Sequence, residues 1–307
     1  MILVSTVIGT HNRAAYLPGA IESALAQNQE GHEIIVVDDS SVDNTAEVAA
    51  RYPVRCLRVS GGNVSKTRNA GVRAAQGKWI TFLDDDDLWL PGRLPLALKL
   101  AAARPDAGLI YGRTQPVDDQ LKPFGSPFPA LPLAEGHPVS AFLHTVIHLN
   151  ATMVRRDVFE KVGYFSETHP GSEDMDFTVR VARQFVCVAV PQTLAVVRHH
   201  DRSGQETRRV CEMFDRRFQD SLVHLRTHLA VRDAYRPNFA TRLRIAWKHR
   251  GWYAYQFQQQ ALRAKNPADA RFALLCALRA SWPHTLKSAA FRTALPGALR
   301  QTRRVLA

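Results

Sequence analysis

The residues of this 307-residue sequence best suited to chemistry are four consecutive aspartates, Asp84, Asp85, Asp86 and Asp87. They stand between two apolar segments, residues 79–83 and 88–91. A run of like charges is usually a solvated loop, and that is the alternative interpretation. Here the apolar segments would anchor the run, and carboxylates crowded at an anchored position need a cation. Mg²⁺ and Mn²⁺ are hard cations that prefer oxygen ligands, so the run predicts a divalent-metal site shared with diphosphate oxygens.

Two other polar segments are suited to a nucleotide ligand. Asp38 and Asp39 follow an apolar stretch, where a carboxylate commonly accepts hydrogen bonds from a nucleotide, although one of these two, Asp38 or Asp39, could instead cap the next helix. Residues 61–71 combine glycines, a helix start and cations, which suits an anion. This segment lacks the G-x-G-x-x-G spacing of dinucleotide-binding loops, and its Arg68 could equally form a surface ion pair.

A candidate general base lies far along the chain. Asp174 follows Glu173 in a short segment before a predicted helix, where a carboxylate is often only a cap or a dipole partner. No Ser/His/Asp or Cys/His arrangement elsewhere offers a better base. His199 and His200 are adjacent, so on an extended strand they point to opposite faces and only one can reach a shared site.

Alternating strands and helices would position these residues. Apolar periodicity predicts strands at residues 3–8, 33–37, 54–59 and 79–83, and helices at 17–27, 43–51 and 64–75. Because the strands are apolar throughout, they predict an α/β fold with a mostly parallel central sheet that is covered on both faces. Ligands of such sheets collect at the carboxyl ends of the strands. Three polar clusters should therefore meet in one crevice: residues 9–11, 38–39 and 84–87.

The rest of the chain is less regular. Residues 113–138 are rich in proline and predict a long loop that helps to form an acceptor site. Regular patterns return as predicted strands at 149–154 and 186–190 and a predicted helix at 156–162. Beyond residue 205 each stretch has a helical pattern. We therefore expect two parts, a catalytic domain at residues 1–204 and a basic α-helical region at residues 205–307.

Residues 1–204 resemble the family 2 inverting glycosyltransferases of GT-A fold. Residues 7–13, V-I-G-T-H-N-R, are similar to the opening strand and P-T-Y-N-R loop of that family, with Gly9 and His11 in place of proline and tyrosine. The resemblance implies that the nucleotide contacts three residues of this loop, Thr10, His11 and Arg13.

Two further segments match nucleotide motifs of the same family. Residues 35–41, I-V-V-D-D-S-S, match a motif whose second aspartate, here Asp39, recognises uracil or another pyrimidine. Residues 66–71, K-T-R-N-A-G, match the A-R-N-x-G element, which implies that Arg68 lies near the nucleotide.

The aspartate run is similar to the metal motif of the family. Residues 82–91, F-L-D-D-D-D-L-W-L-P, resemble L-D-A-D-D-x-W-x-P. By this match Asp84 and Asp86 form a D-x-D motif for Mn²⁺ or Mg²⁺. The resemblance makes Asp86 the principal metal ligand and Asp85 a contact of the ribose.

Two late motifs complete the resemblance. Residues 172–177, S-E-D-M-D-F, resemble the E-D-x-D element, whose first aspartate is the catalytic base; here that is Asp174, next to Glu173. Residues 198–203, R-H-H-D-R-S, resemble R-x-H-x-x-S, which selects His200 over His199 as the residue near the metal and the diphosphate.

The resemblance implies a metal-dependent inverting glycosyltransferase that moves a sugar from a UDP- or dTDP-sugar donor to a glycan or lipid-linked acceptor in cell-surface polysaccharide biosynthesis. One alternative is a nucleotidyltransferase that makes a nucleotide sugar, but a glycine-rich loop after the first strand is missing. Another alternative is a non-catalytic nucleotide-sugar-binding protein. Such a protein would need the acidic cluster but would not need Asp174.

Positive charge is concentrated at the end of the chain. Residues 205–307 hold 20 of the 40 Lys and Arg but only 6 of the 28 Asp and Glu. Basic and aromatic residues interleave there, which is typical either of an anionic membrane interface or of a helical cap on the catalytic domain. Nucleic acid is not an expected partner because no recognised module accompanies the charge. With no signal peptide or spanning segment in the sequence, we expect a cytoplasmic protein, peripheral on the membrane if the tail binds there.

Overall fold

One mixed sheet of eight strands organises the residues that the computed structural model describes, which are 2–145, 147–167 and 173–199. The strands are β1 (Val4–Thr10), β2 (His32–Asp39), β3 (Arg55–Val59), β4 (Trp79–Asp84), β5 (Leu88–Trp89), β6 (Ala107–Val117), β7 (Thr152–Arg155) and β8 (Val186–Arg198). Their order across the sheet is β3-β2-β1-β4-β7-β6-β8-β5. The half from β3 to β4 is parallel, as predicted, whereas β7 runs antiparallel to both β4 and β6.

Helices cover the sheet. Within the described residues they are α1 (Leu17–Leu25), α2 (Thr45–Ala49), α3 (Val64–Ala74), α4 (Arg93–Ala103), α5 (Val139–His144), α6 (Arg156–Val162) and α7 (Glu173–Gln184). The four strands and three helices predicted for the first half of the chain are confirmed, with α2 shorter than expected. The predicted helix at 156–162 is confirmed as α6.

The strands β1, β2 and β4 are buried on both faces, which explains why they are apolar over most of their length, whereas β3 at the edge of the sheet is largely exposed. On β2, Ile34 and Val36 pack into a cluster with α1 and α4, while Ile35 and Val37 pack into a second cluster with α3, α6 and α7. Successive side chains of a strand point to opposite faces, so both sets must be apolar. The rigid sheet thereby holds the ends of β1, β2 and β4 in register.

Three local predictions were wrong. Residues 113–117 belong to β6 rather than to a loop, because their main chain pairs with β8 despite Pro116. Residues 149–151 form a 3₁₀ turn, and the strand begins only at Thr152. Asp174 is the second residue of α7 and not part of a loop before that helix. The strand predicted at 186–190 exists but continues as β8 to Arg198.

The remaining residues fall in a separate part of the chain. Residues 1–200 form one compact unit and residues 201–307 a second one. The predicted basic region at 205–307 lies outside the described residues, so its helices and its boundary stay predictions. In the part of the chain that the structure describes, no helix is both long and apolar enough to cross a membrane.

Candidate active site

The carboxyl ends of three neighbouring strands bring the predicted clusters together. Gly9 on β1 pairs with Val37 on one side and with Asp84 on the other, and Thr10 pairs with Asp38. The aspartate run therefore begins one strand away from the loop that carries His11 and Arg13. The predicted convergence of these clusters in one crevice is confirmed.

Arginines neutralise the two aspartates of the D-x-D pattern. Arg68 on α3 donates from Nη2 to Oδ1 of Asp84 at 2.8 Å, and Arg13 donates from Nη1 to Oδ2 of Asp86 at 3.0 Å. Arg68 is buried, so the alternative of a surface ion pair is wrong. Although burial lowers the pKa of Arg68, the carboxylates of Asp84 and Glu173 raise it above its usual value. This guanidinium therefore remains charged.

The other two aspartates of the run are buried. Burial, together with the charge of Asp86, raises the pKa of Asp85 to about 7, and the Thr10 hydroxyl offsets part of this shift. Burial and the charge of Asp84 also raise the pKa of Asp87 well above its usual value. Burial therefore disfavours the charged form of both carboxyl groups. The interpretation as a freely solvated acidic loop is wrong.

An asparagine that the sequence did not single out joins the two ends of the run. Oδ1 of Asn150 accepts a 2.9 Å hydrogen bond from the Asp84 main-chain N–H. Its Nδ2 donates to Asp84 Oδ2 at 3.3 Å and to the Asp87 carboxylate. The only sequence signal for this role is an amide side chain within the mostly apolar residues 149–154, for which the pattern predicts a strand.

The same arginine connects the run to α7. Arg68 Nη1 donates to Oε1 of Glu173 at 2.9 Å, and both side chains are nearly buried. Asp174, the next residue, is partly buried in the first turn of α7. Burial and the charge of Glu173 raise its pKa to about 7, with Arg68 opposing the shift. A carboxyl group that titrates near neutral pH is suited to accept a proton.

Asp39 organises the loop before α3. Its carboxylate accepts hydrogen bonds from the main-chain N–H groups of Gly61 and Gly62 and from the Thr67 hydroxyl, at 2.7–3.2 Å. It makes no capping bond to α2, so the alternative that it caps that helix is wrong. His11 Nδ1 lies 2.6 Å from the Asp39 carbonyl oxygen, at an exposed edge of the crevice. Recognition of a nucleotide base by these residues stays a prediction.

The donor chemistry fits a hard divalent cation. Asp84 and Asp86 present carboxylate oxygens at a loop where burial, and then the charges of neighbouring aspartates, raise the pKa values of Asp85 and Asp87. His200, the third predicted ligand, lies outside the described residues. Within residues 2–145, 147–167 and 173–199, no group of three or more His, Cys, Asp or Glu is arranged to hold a metal. Asp84 and Asp86 would hold the cation together with ligand oxygens.

Comparison with known proteins identifies relatives of the first part of the chain. The model of glycosyl transferase family 2 matches residues 5–163. An uncharacterized glycosyltransferase of Haemophilus influenzae is 26% identical over 188 residues, which cover 59% of this chain and 63% of that protein. One of Rickettsia felis is 29% identical over 189 residues, 59% of this chain and 31% of that protein. The succinoglycan biosynthesis protein ExoO of Rhizobium meliloti is 39% identical over 104 residues, 33% of this chain and 30% of that protein. The chain thus spans less than two thirds of these relatives.

Solved structures share the fold. TarS 1-349 of S. aureus in complex with UDP-GlcNAc aligns with a TM-score of 0.56 at 14% identity, over 96% of this chain and 92% of that chain. The mannosyltransferase PcManGT from Pyrobaculum calidifontis in complex with GDP-Man and Mn²⁺ aligns with a TM-score of 0.56 at 18% identity, over 97% and 79%. With its family match and this architecture, the chain belongs to glycosyl transferase family 2 and has the GT-A fold.

Proposed function

We propose that this chain is a metal-dependent inverting glycosyltransferase that moves a sugar from a UDP- or dTDP-sugar to a hydroxyl group of an acceptor. The observation that carries the proposal is the bridge from Asp84 through the buried Arg68 to Glu173. This bridge links the carboxylate run to the helix turn that bears Asp174. Two solved relatives in fold bind nucleotide sugars, UDP-GlcNAc in TarS and GDP-Man with Mn²⁺ in PcManGT, which supports the donor class.

Asp174 is the general base of the proposed reaction. Its carboxylate accepts the proton of the acceptor hydroxyl, whose oxygen attacks the anomeric carbon on the side opposite the departing diphosphate. The sugar is transferred with inversion, and the nucleoside diphosphate leaves. A raised pKa makes Asp174 a stronger base than an exposed aspartate, yet it stays ionised in much of the population at neutral pH.

Charge develops at the other side of the sugar. A divalent cation held by Asp84, Asp86 and His200 would neutralise charge on the leaving diphosphate. Arg68, buried beside the run, adds a fixed positive charge to the same region. Asp39 orders the loop at the edge of the crevice through Gly61 and Gly62, where the nucleotide would lie.

The acceptor is proposed to be a glycan or a lipid-linked saccharide of cell-surface polysaccharide biosynthesis. The relationship to a succinoglycan biosynthesis protein supports this class. We further propose that the protein acts on the cytoplasmic face of the membrane, held there by its basic residues 205–307. The charge of that region supports the proposal, since half of all Lys and Arg lie in it.

The proposal is tested by two incubations of the full chain with Mn²⁺. One contains nucleotide sugars, and the other contains nucleoside triphosphates with sugar 1-phosphates. Release of nucleoside diphosphate in the first incubation supports glycosyl transfer. Release of pyrophosphate in the second would instead establish nucleotidyl transfer. Nucleotide-sugar binding without either product would establish a binding protein.

A further inference from the structure

Asn150 is buried between the two ends of the aspartate run. It is 1% exposed and lies in the 3₁₀ turn before β7. Its amide oxygen accepts the main-chain N–H of Asp84, and its amide nitrogen donates to the carboxylates of both Asp84 and Asp87. One side chain therefore sets the position of the first and the last carboxylate of the run.

The main chain of Asn150 is itself held by buried donors. Its carbonyl oxygen accepts hydrogen bonds from Trp89 Nε1 at 3.0 Å and from Arg93 Nε at 3.2 Å. Arg93 is 2% exposed, lies 3.9 Å over the Trp89 ring and donates from Nη2 to Thr81 and to the Thr152 carbonyl. Among the described residues no carboxylate pairs with Arg93. The hydrogen bonds of this buried guanidinium therefore go to main-chain and hydroxyl oxygens around the turn.

An amide suits this position because it carries a donor and an acceptor on one planar group. An acidic side chain would repel Asp84 and Asp87, and an apolar side chain would leave the buried Asp87 carboxylate short of a donor. Asp87 is 3% exposed, and its other hydrogen bond comes from the Arg198 main-chain N–H at 2.7 Å. The main chain also joins the two residues, since the Asp87 N–H donates to the Asp84 carbonyl at 3.1 Å. Among the described residues, however, Asn150 is the one side chain that donates to both carboxylates.

We infer that Asn150, anchored by Trp89 and Arg93, is a positioning residue that orients the aspartate run for a divalent cation and a nucleoside diphosphate. The inference rests on the proposed function and deepens it. Asn150 does not touch the reacting atoms; it acts through Asp84 and Asp87. A positioning role of this kind weakens metal-dependent binding more than it weakens turnover at saturating metal.

The test measures nucleotide binding by calorimetry while Mn²⁺ is varied, with UDP, dTDP and GDP as probes on the full chain. For Asn150→Ala we expect the half-saturating Mn²⁺ concentration to rise about tenfold, which corresponds to ~1.4 kcal/mol. At saturating Mn²⁺, the variant should turn over a nucleotide sugar at a rate within about threefold of the wild-type rate. That ratio corresponds to less than ~1.4 kcal/mol. Thr152→Val is the matched control. The buried hydroxyl of Thr152 donates only to the carbonyl of Leu149, which lies in the same 3₁₀ turn as Asn150. This control variant should lose stability but keep the wild-type Mn²⁺ requirement.

Trp89→Phe provides a second variant if Asn150→Ala does not fold. This substitution keeps an aromatic ring but removes the N–H group that donates to the Asn150 carbonyl. We expect the half-saturating Mn²⁺ concentration to rise about threefold, which corresponds to less than the ~1.4 kcal/mol of a tenfold change. The positioning role is overturned if wild type binds nucleotide with Mn²⁺ and folded Asn150→Ala has the same half-saturating Mn²⁺ concentration as wild type. The same result for Trp89→Phe overturns it if Asn150→Ala does not fold. If wild type binds none of the three nucleotides with Mn²⁺, the proposed function fails, and this inference fails with it.

Discussion

The guanidinium of Arg68 on α3 donates a 2.9 Å hydrogen bond to the carboxylate of Glu173 in the first turn of α7. The two residues are 105 positions apart in the chain. Arg68 also binds Asp84 at the end of β4, so one buried side chain joins the aspartate run to the turn that carries Asp174. The proposed metal side and the proposed base side of the reaction are thereby fixed relative to one another.

Replacing Arg68 should therefore affect both stability and activity. Arg68→Met removes the nearly buried ion pair between Arg68 and Glu173, and removal of one partner of a buried pair costs about 3 kcal/mol of unfolding free energy. Urea denaturation measures this loss. The control is Arg104→Met, which removes an exposed pair with Asp106 and should leave the unfolding free energy unchanged. Equal effects of the two substitutions would contradict the bridge.

Asp174→Asn tests the general base. The amide cannot accept the proton, so kcat should fall by about 10³-fold, while the dissociation constant of the donor stays near that of wild type. Steady-state kinetics and calorimetry measure the two quantities separately. Asp157→Asn, at the start of α6, is a control for the loss of an acidic side chain near a helix N-terminus. Normal turnover by Asp174→Asn would reassign the base.

The pH dependence of turnover follows from the same residue. The pKa of Asp174 is raised to about 7, so its protonated form prevails below that pH, and the reaction needs the carboxylate. We expect kcat to fall about tenfold for each pH unit well below 7 and to reach a plateau at higher pH. Measuring kcat in stopped assays from acidic to mildly alkaline pH would reveal this fall below pH 7. A profile that stays flat across neutrality would argue against Asp174 as the titrating base.

Asp86→Ala tests the carboxylate clamp. Loss of this side chain removes the predicted principal metal ligand and also its 3.0 Å ion pair with Arg13. Calorimetry should then detect no Mn²⁺-dependent enhancement of nucleotide binding. Asp106→Ala removes an aspartate from an exposed pair on the surface and should retain the enhancement. Unchanged metal-dependent binding by Asp86→Ala would refute the clamp.

Membrane attachment is a separate prediction. The basic residues 205–307 should carry the full chain to the top of a density gradient with vesicles that contain anionic lipid, and flotation should weaken as salt screens the charges. Vesicles of neutral lipid are the control. If the protein stays at the bottom of the gradient at low salt, the result would favour the alternative interpretation of residues 205–307 as a helical cap.

The sequence predicted the first half of the fold mainly because β1, β2 and β4 are buried on both faces. Ile34 to Val37 form an unbroken apolar stretch on β2, and such a stretch ends at the polar residues of the crevice. The pattern failed at residues 113–117, since Gln115 and Pro116 have the composition of a loop although their main chain lies within the sheet. Strand pairing there is decided by β8, which is distant in sequence.

Contacts between distant segments could not be read from local patterns. Arg68 was expected near the nucleotide through a motif, but its bond to Glu173 depends on how α3 and α7 pack. Asn150 was not singled out, because its partners in the aspartate run lie more than 60 positions away. Residue types predicted the chemistry of the site, whereas tertiary packing determines which side chains hold it in place.

The most direct test of glycosyl transfer is the release of nucleoside diphosphate from a panel of nucleotide sugars with Mn²⁺. The panel should include UDP-, dTDP- and GDP-sugars, each incubated with wild type and with Asp174→Asn. We predict release from at least one donor by wild type, and loss of that release in the variant. Absence of release from every donor, or equal release by wild type and Asp174→Asn, would contradict the mechanism.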